Sequence, residues 1–470
     1  MAASRWARNA LRVAVVLGAI GLGFLVVSAS MDRKPPELVL PRVAWEGGPA
    51  YYKRFPAAAQ AGWTDASFFP IGVWFESVVD EKDVVTDKAA GLNTYVELTA
   101  NSNADLLRRH GMWAITSKPL PGAGRETVGW IIADEADMFA GPGDGKWTGK
   151  VTGEGPPCEP EKPPCGYTAM RTLKERLPRG DGRMHYANYG KGVAMWESEA
   201  EAEKFVNGYT DVMSTDMYWY TDLGMCEEAE NFLRLPRDEC PVAADYGMLL
   251  DKERRLDGKD GKRQPIYAFI EVGWPGTNGV KAIKPEQIRG AVMNSLIHEA
   301  RGIIYFNHNF GGPCVSQHAL RDCSPETRVM VTRVNQQIRQ LAPVLNTQSY
   351  EFGFCADLDT MLKGHGGSYY VFAMVRRGSE VGRHTLTLPP ALAKAGKVEV
   401  LFENRTLPIS SGGQFTDTFE AEYTSHIYKI TPWGRGPPPP GPPRAPAGAG
   451  VPPPEEARGA EREIHPQKNQ

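Results

Sequence analysis

Short apolar runs alternate with amphipathic stretches between about residues 60 and 345. The runs are FFPIGVWF (68–75), GLNTYVEL (91–98), MWAITS (112–117), TVGWIIADE (127–135), MHYANYG (184–190), VMSTDMYWY (212–220), PIYAFIEV (265–272) and RGIIYFNH (301–308). Their length and their content of β-branched and aromatic residues predict strands. Helical periodicity lies between most of them. In PEQIRGAVMNSLIHEA, for example, Ile288, Val292 and Leu296 recur at i, i+4 and i+8, and Ala291 shares their face.

Helices alternating with strands imply parallel pairing, because parallel neighbours need a crossover connection. Eight such units over residues 60–345 match a (β/α)8 TIM barrel, an α/β fold of about 250 residues plus insertions. The weakest step is from the third run to the fourth, where KPLPGAG leads into RETVG without a clear helix. An open doubly wound sheet is the other arrangement, but no glycine-rich phosphate turn supports it. After Leu345 the texture changes to SYYVFAMV, HTLTL, KVEVLF and EYTSHIYKI, which predicts a small antiparallel β-sandwich over residues 346–432.

The ends of the chain read differently. Arg5, Arg8 and Arg12 precede an uncharged stretch from Val13 to Val27 that closes in VSAS. That order is expected of a secretory signal over residues 1–30. The alternative is an uncleaved single-span N-terminal membrane anchor, since the stretch approaches the minimum spanning length of about 17 residues. Either one puts the body outside the cytoplasm, secreted or held at the extracytoplasmic face of the membrane. Residues 31–59 read as a linker or N-terminal segment. Residues 433–470 contain PPPPGPPRAPAGAGVPPP and a charged tail, a composition expected to be disordered.

Six of the seven cysteines form near neighbours: Cys158 with Cys165, Cys226 with Cys240, and Cys314 with Cys323. None has CxxC spacing, so loop-closing disulfides in an oxidising compartment are expected rather than a zinc site. They would follow the fourth, sixth and eighth strands. Cys355 is left over and reads as a small buried apolar residue. A formal net charge of -3 offers no basic field for nucleic acid.

Active sites of such barrels lie at the C-terminal ends of the strands. Standing there are Glu76, Glu97, Asp134, Glu135, Asn188, Asp216, Tyr218, Glu271 and His308. The fourth run is instructive, because GWIIADEADMF (129–139) is apolar and then ends in Asp134, Glu135 and Asp137. Carboxylates are rarely buried unless paired, so this ending marks a surface turn or the mouth of a site. Glu135 and Glu271 stand out because they are embedded in apolar strands, ADE and AFIEVGW.

On these residues the chain from about 60 to 432 resembles the large clan of retaining glycoside hydrolases built on a (β/α)8 barrel. That clan carries an acid/base glutamate after strand four and a nucleophile glutamate on strand seven, and several members add a C-terminal β-sandwich. The resemblance implies Glu135 as acid/base, Glu271 as nucleophile and Tyr218 as the residue orienting the nucleophile. Asp134-Glu135-Ala136 stands where the clan has Asn-Glu-Pro. Asp134 would then replace the side chain that bonds the sugar 2-hydroxyl.

The chemistry fits elementary requirements. Double displacement needs one ionised and one protonated carboxyl about 5 to 5.5 Å apart. Close like charges help one of them keep its proton. Aromatic rings near strand ends, Trp74, Trp219, Tyr220, Trp274 and Phe310, could stack on sugars, although such rings equally serve as core. The substrate-binding candidates are Asp134, Asn188, Asp216, Tyr218, Trp274, His308, Trp74 and Glu97.

His185, Asp216 and His308 lie on different strands, but HxH and HExxH spacings are absent and so is GxSxG. No metal or other cofactor is expected. The expectation is therefore an exported retaining glycoside hydrolase that cleaves O-glycosidic bonds of a cell-wall or environmental glycan, with carbohydrate as its partner. The other reading is a non-catalytic surface carbohydrate-binding or scaffold protein on a degenerate barrel.

Overall fold

All eight runs fold as parallel strands: β1 Ile71–Glu76, β2 Thr94–Leu98, β3 Trp113–Thr116, β4 Thr127–Asp134, β5 Met184–Tyr189, β6 Val212–Thr215, β7 Ile266–Glu271 and β8 Gly302–Phe306. They pair in chain order and β8 returns to β1, closing the barrel. The computed structural model describes residues 38–138, 166–276, 281–395 and 397–432. The N-terminal arginine-rich and apolar stretch, Cys158, Cys165 and the proline-rich tail lie outside these residues. Among the described residues no helix is long and apolar enough to cross a membrane.

Side chains alternate across the barrel wall. Trp74, Tyr186, Tyr267 and Phe269 fill the interior, while Val73, Tyr95, Ile270 and Tyr305 belong to the core shared with the helices. Burial on both faces is the reason the strands read as nearly continuous apolar runs. The helix Pro285–Ile297 buries Ile288, Ala291, Val292 and Leu296, the face its periodicity predicts. Between β3 and β4 the chain crosses by residues 117–126 without a helix. Pro119, Pro121, Gly122 and Gly124 in that link disfavour one.

The stretch read as a linker or N-terminal segment packs into the fold from residue 38 onward. Tyr51, Tyr52, Phe55, Ala58 and Trp63 join the barrel-interior core, and the Tyr52 hydroxyl lies 2.7 Å from that of Tyr267 near the start of β7. Leu38 belongs to the sandwich core.

The sandwich pairs a five-stranded sheet with a two-stranded ribbon. The sheet holds β9 Leu358–His365, β10 Ser368–Val375, β12 Lys397–Val400, β13 Arg405–Pro408 and β15 Ser425–Ile430. The ribbon is β11 Gly382–Thr387 with β14 Gln414–Phe419. The period of two along β10 divides the sheet's faces: Phe372 and Met374 pack into the barrel's helical core, while Val371 and Ala373 pack into the sandwich core. Cys355 is partly buried beside the sandwich core, and its sulfur and ligand atoms of Asp357 and His384 lie within 4.8 Å of one another.

A buried ion cluster joins barrel, sandwich and N-terminal segment. Arg301 forms ion pairs with Glu46 at 3.1 Å and Glu299 at 3.0 Å, and Glu299 also faces Lys363 of β9 at 3.6 Å. Burial alone would raise the Glu299 carboxyl, but Lys363, Arg301 and Arg254 overcome it and hold the pKa at about 2. The same burial pushes the Lys363 ammonium down to about 8, so the cluster's net contribution is smaller than the Glu299 shift alone. Because the folded pKa of Glu299 lies below the unfolded value of about 4.3, its contribution is present above that value and is lost as pH falls toward 2. The full shift corresponds to about 3 kcal/mol. The wild-type melting temperature should therefore fall more steeply between pH 4.5 and pH 2, roughly the window set by these two values, than that of Glu299→Gln. Parallel acid limbs in the two proteins would contradict this linkage.

Candidate active site

Three strand ends carry strained, positive-φ residues: Phe75 (φ 49) on β1, Glu97 (φ 64) on β2, and Glu135 (φ 50) just past β4. Such backbone is costly for non-glycine residues and collects at functional sites. All three lie at the C-terminal end of the barrel.

The carboxylates of β4 separate into two tasks. Asp137 turns away from the mouth, where it accepts the Gly190 N–H at 3.0 Å and the Val193 N–H at 2.7 Å. It is buried, which pushes its pKa up to about 7, and it pins the turn after β5. Asp134 and Glu135 face the mouth.

Asn188 on β5 organises this pair with Asp216. Its side-chain N–H groups donate to Asp134 and to Asp216, each at 3.0 Å, and its oxygen accepts from Ser214 at 2.6 Å. Asp134 remains open to solvent but is crowded by protein, and desolvation pushes its pKa up to about 6. Asp216 is buried, accepts from Asn188, and is coupled electrostatically to Glu135.

Desolvation raises both the Glu135 and Asp216 carboxyls, and Glu135 and Asp134 push Asp216 higher still. Neighbouring like charges oppose ionisation of both groups, so the two carboxyls titrate as a unit and above the usual carboxylate range. Lys191 adds a positive field at Glu135, while its ammonium is tied to Asp222 and Glu228 at 2.8 Å each. Glu135 is thus paired with another carboxyl rather than with a cation.

Glu271 closes β7, the strand on which the resemblance expects a glutamate. It is fully buried, and the loop after β6 wraps its carboxylate. The Tyr220 N–H donates to it at 2.8 Å, the Thr221 N–H at 3.1 Å, the Tyr246 hydroxyl at 2.5 Å, and the Thr221 hydroxyl also donates. Burial raises its pKa to about 7 while these donors pull it down. The groups acting on Glu135 are Asp216 and Lys191. From the sandwich, Glu422 accepts from the Tyr220 hydroxyl at 2.9 Å and from the Ala243 N–H at 2.7 Å, bracing the same loop.

The other candidates are spread unevenly. Glu97 accepts from Leu98 and Ser117 amides and adds negative field at Asp134. Tyr218 packs edge-on against Phe306, and half-exposed Phe310 completes an aromatic edge with Phe306 and His308. His308 is buried and its Nε2 lies 3.0 Å from the Phe75 carbonyl. Trp74 is buried against Phe269, and Trp219 is buried as well, so both rings serve the core. Trp274 is partly exposed and lines a cavity of about 420 Å³ with Ile283, Cys314 and Cys323; the cavity lining contains neither Glu135 nor Asp216. His185 sits early in β5 against Asp211 at 3.3 Å, away from Asp216 and His308, which follow β6 and β8.

Disulfides Cys226–Cys240 and Cys314–Cys323 close the loops after β6 and β8. The expected Cys158–Cys165 pair falls outside the described residues. Sequence reading missed Lys191, Tyr220, Thr221 and Tyr246 as organisers of the mouth. No local signal marks them, since each reaches its partner from a different segment.

No family model and no curated protein sequence matches the chain. Among solved structures it is similar to a maltogenic alpha-amylase from Thermotoga neapolitana, with TM-score 0.45 and 8% identity over 77% of this chain and 99% of that one. It is also similar to a family 30 endoxylanase from Clostridium papyrosolvens, with TM-score 0.38 and 10% identity over 78% and 97%. A third is a glycoside hydrolase family 30 subfamily 8 xylanase from Clostridium acetobutylicum, with TM-score 0.41 and 10% identity over 77% and 95%. The barrel itself rests on its own strand pairing.

Proposed function

We propose that this chain is a glycoside hydrolase in which Glu135 passes a proton to the glycosidic oxygen and Asp216 is the partner that keeps the proton in the pair. The observation that carries this reading is the electrostatic coupling of two desolvated carboxyls, Glu135 and Asp216, at the C-terminal mouth of a closed barrel, with Asn188 donating to Asp216 at 3.0 Å. Glu135 is the more exposed member, so it is the one that can reach a leaving oxygen. When the proton leaves, the pair goes from one negative charge to two beside the breaking bond. That change favours the positive charge that develops on the sugar ring in an oxocarbenium-like transition state. Water then supplies the hydroxyl at the anomeric carbon and returns a proton to the pair.

Asp216 serves in this reading as the proton partner, because its buried carboxyl is coupled to that of Glu135. Asp134, oriented by Asn188, is placed to accept from a sugar hydroxyl, and Phe310 offers an exposed ring for a sugar face. Two loop disulfides and the N-terminal charge pattern favour export, with the body secreted or tethered outside the cytoplasm.

The test is a screen of the purified protein against aryl glycosides and cell-wall polysaccharides. Release of phenol or new reducing ends is expected. Saturable glycan binding without any cleavage would instead establish the non-catalytic binding role.

A further inference from the structure

A second group of reactive side chains stands at the end of β1, apart from the carboxyl pair. The Ser77 hydroxyl lies 3.0 Å from Nε2 of His318. Nδ1 of the same ring bonds Glu76, whose carboxylate is fully buried. With Nδ1–H donated to the carboxylate, Nε2 is left as the acceptor for the serine proton. Nucleophile, base and orienting carboxylate thus stand in the order that acyl transfer requires.

The surroundings fix each member. Glu76 also accepts from Asn307 and faces Arg321 at 3.3 Å. Arg321 donates to the Ser77 carbonyl at 2.7 Å, and the Cys314–Cys323 disulfide closes the loop that carries His318. The strained Phe75 lies two residues before Ser77. Ser77 and His318 are both partly exposed, so a reagent can reach them.

We propose that Ser77 is an acylatable nucleophile, with His318 as its base and Glu76 as the residue positioning that base, acting on carboxylic esters. Ser77 Oγ bonds to the acyl carbon while its proton passes to His318 Nε2. The bond to the alcohol oxygen breaks, and the departing alkoxide takes that proton. Water then attacks the acyl-serine by the same route, releasing the acid and restoring Ser77. The Val78 and Val79 amides, the neighbours best placed to stabilise an oxyanion, are already bonded to Ser102 and Asp83. Turnover of ordinary esters is therefore slow, and activated donors react best.

This inference does not rest on the carboxyl pair at β4 and β6. Its test is incubation of the full-length protein with a fluorophosphonate, followed by intact mass and peptide mapping. Fluoride leaves, and a single phosphonyl adduct on Ser77 is the expected result. Ser77→Ala should abolish the adduct while melting like wild type. His318→Gln should slow labelling about 100-fold, the lower end of what a general base contributes.

The rate should also rise with pH as His318 loses its proton, with a midpoint above the usual histidine value because its hydrogen bond to Glu76 holds the proton. The groups facing that ring are Glu76, Arg321 and Asp322, with Asp83 and His308 also in its field. Absence of an adduct on folded wild type overturns the proposal. So does labelling that is unchanged in Ser77→Ala or that shows no dependence on pH.

Discussion

Glu135→Gln should lose about 10² to 10⁴ in rate on glycosides with poor leaving groups, the range that general acid catalysis typically supplies. Glutamine keeps the shape, but it has no proton to give. An aryl glycoside with an acidic phenol needs little protonation of its leaving oxygen, so it should retain most of its rate. Equal losses on both substrate types would mean that Glu135 is not the donor, and Glu97 would be the next carboxyl to test. Asp216→Asn provides the companion measurement. In wild type the neighbouring carboxyl helps to hold the shared proton at higher pH. An asparagine removes that like charge and can donate to an ionised Glu135. The basic limb of the kcat/KM profile should therefore move to lower pH, and an unmoved limb would detach Asp216 from the proton.

The second large effect belongs to Glu271. Glu271→Ala leaves the Tyr220 and Thr221 amides and the Thr221 and Tyr246 hydroxyls without their buried acceptor. Each unsatisfied buried group costs about 1 to 3 kcal/mol, and relaxation of the loop recovers part of the sum. A loss of about 3 to 5 kcal/mol in unfolding free energy is expected, the range of the larger single-site effects. Activity should fall as well, because the same loop begins at Asp216 and Tyr218. Added azide should not restore it. If Glu271→Ala kept wild-type stability and azide revived cleavage with inverted product, Glu271 would be the nucleophile that its strand-seven resemblance implies. Double displacement would then follow.

These two glutamates show how differently a sequence speaks about fold and about site. A strand buried on both faces must be apolar along its whole length, and a helix on a barrel must repeat its apolar residues near every fourth position. Both patterns are local, so TVGWIIADE and PEQIRGAVMNSLIHEA declared their structures without reference to anything distant. Counting such units was enough to specify a barrel, and a period of two over a new stretch was enough to specify the sandwich. Even the missing helix between β3 and β4 was legible in its prolines and glycines.

Strand ends were legible too, and with them the list of carboxylates at the mouth. What each carboxylate does was decided elsewhere. Glu135 and Glu271 look alike in sequence, each a glutamate closing an apolar strand. One is coupled to Asp216, 81 residues away by numbering (216 − 135). The other meets Tyr220, Thr221 and Tyr246, donors from the β6 loop and the helix Ala244–Asp257, and is saturated. Ser77 and His318 are 241 residues apart and carry no shared motif. Hydrogen-bond partners and desolvation set the charge and reach of an ionisable group, and both are properties of what folds against it. The periodicity of the chain determined the scaffold; only the closing of loops from remote segments over the strand ends decided which partners each acid meets.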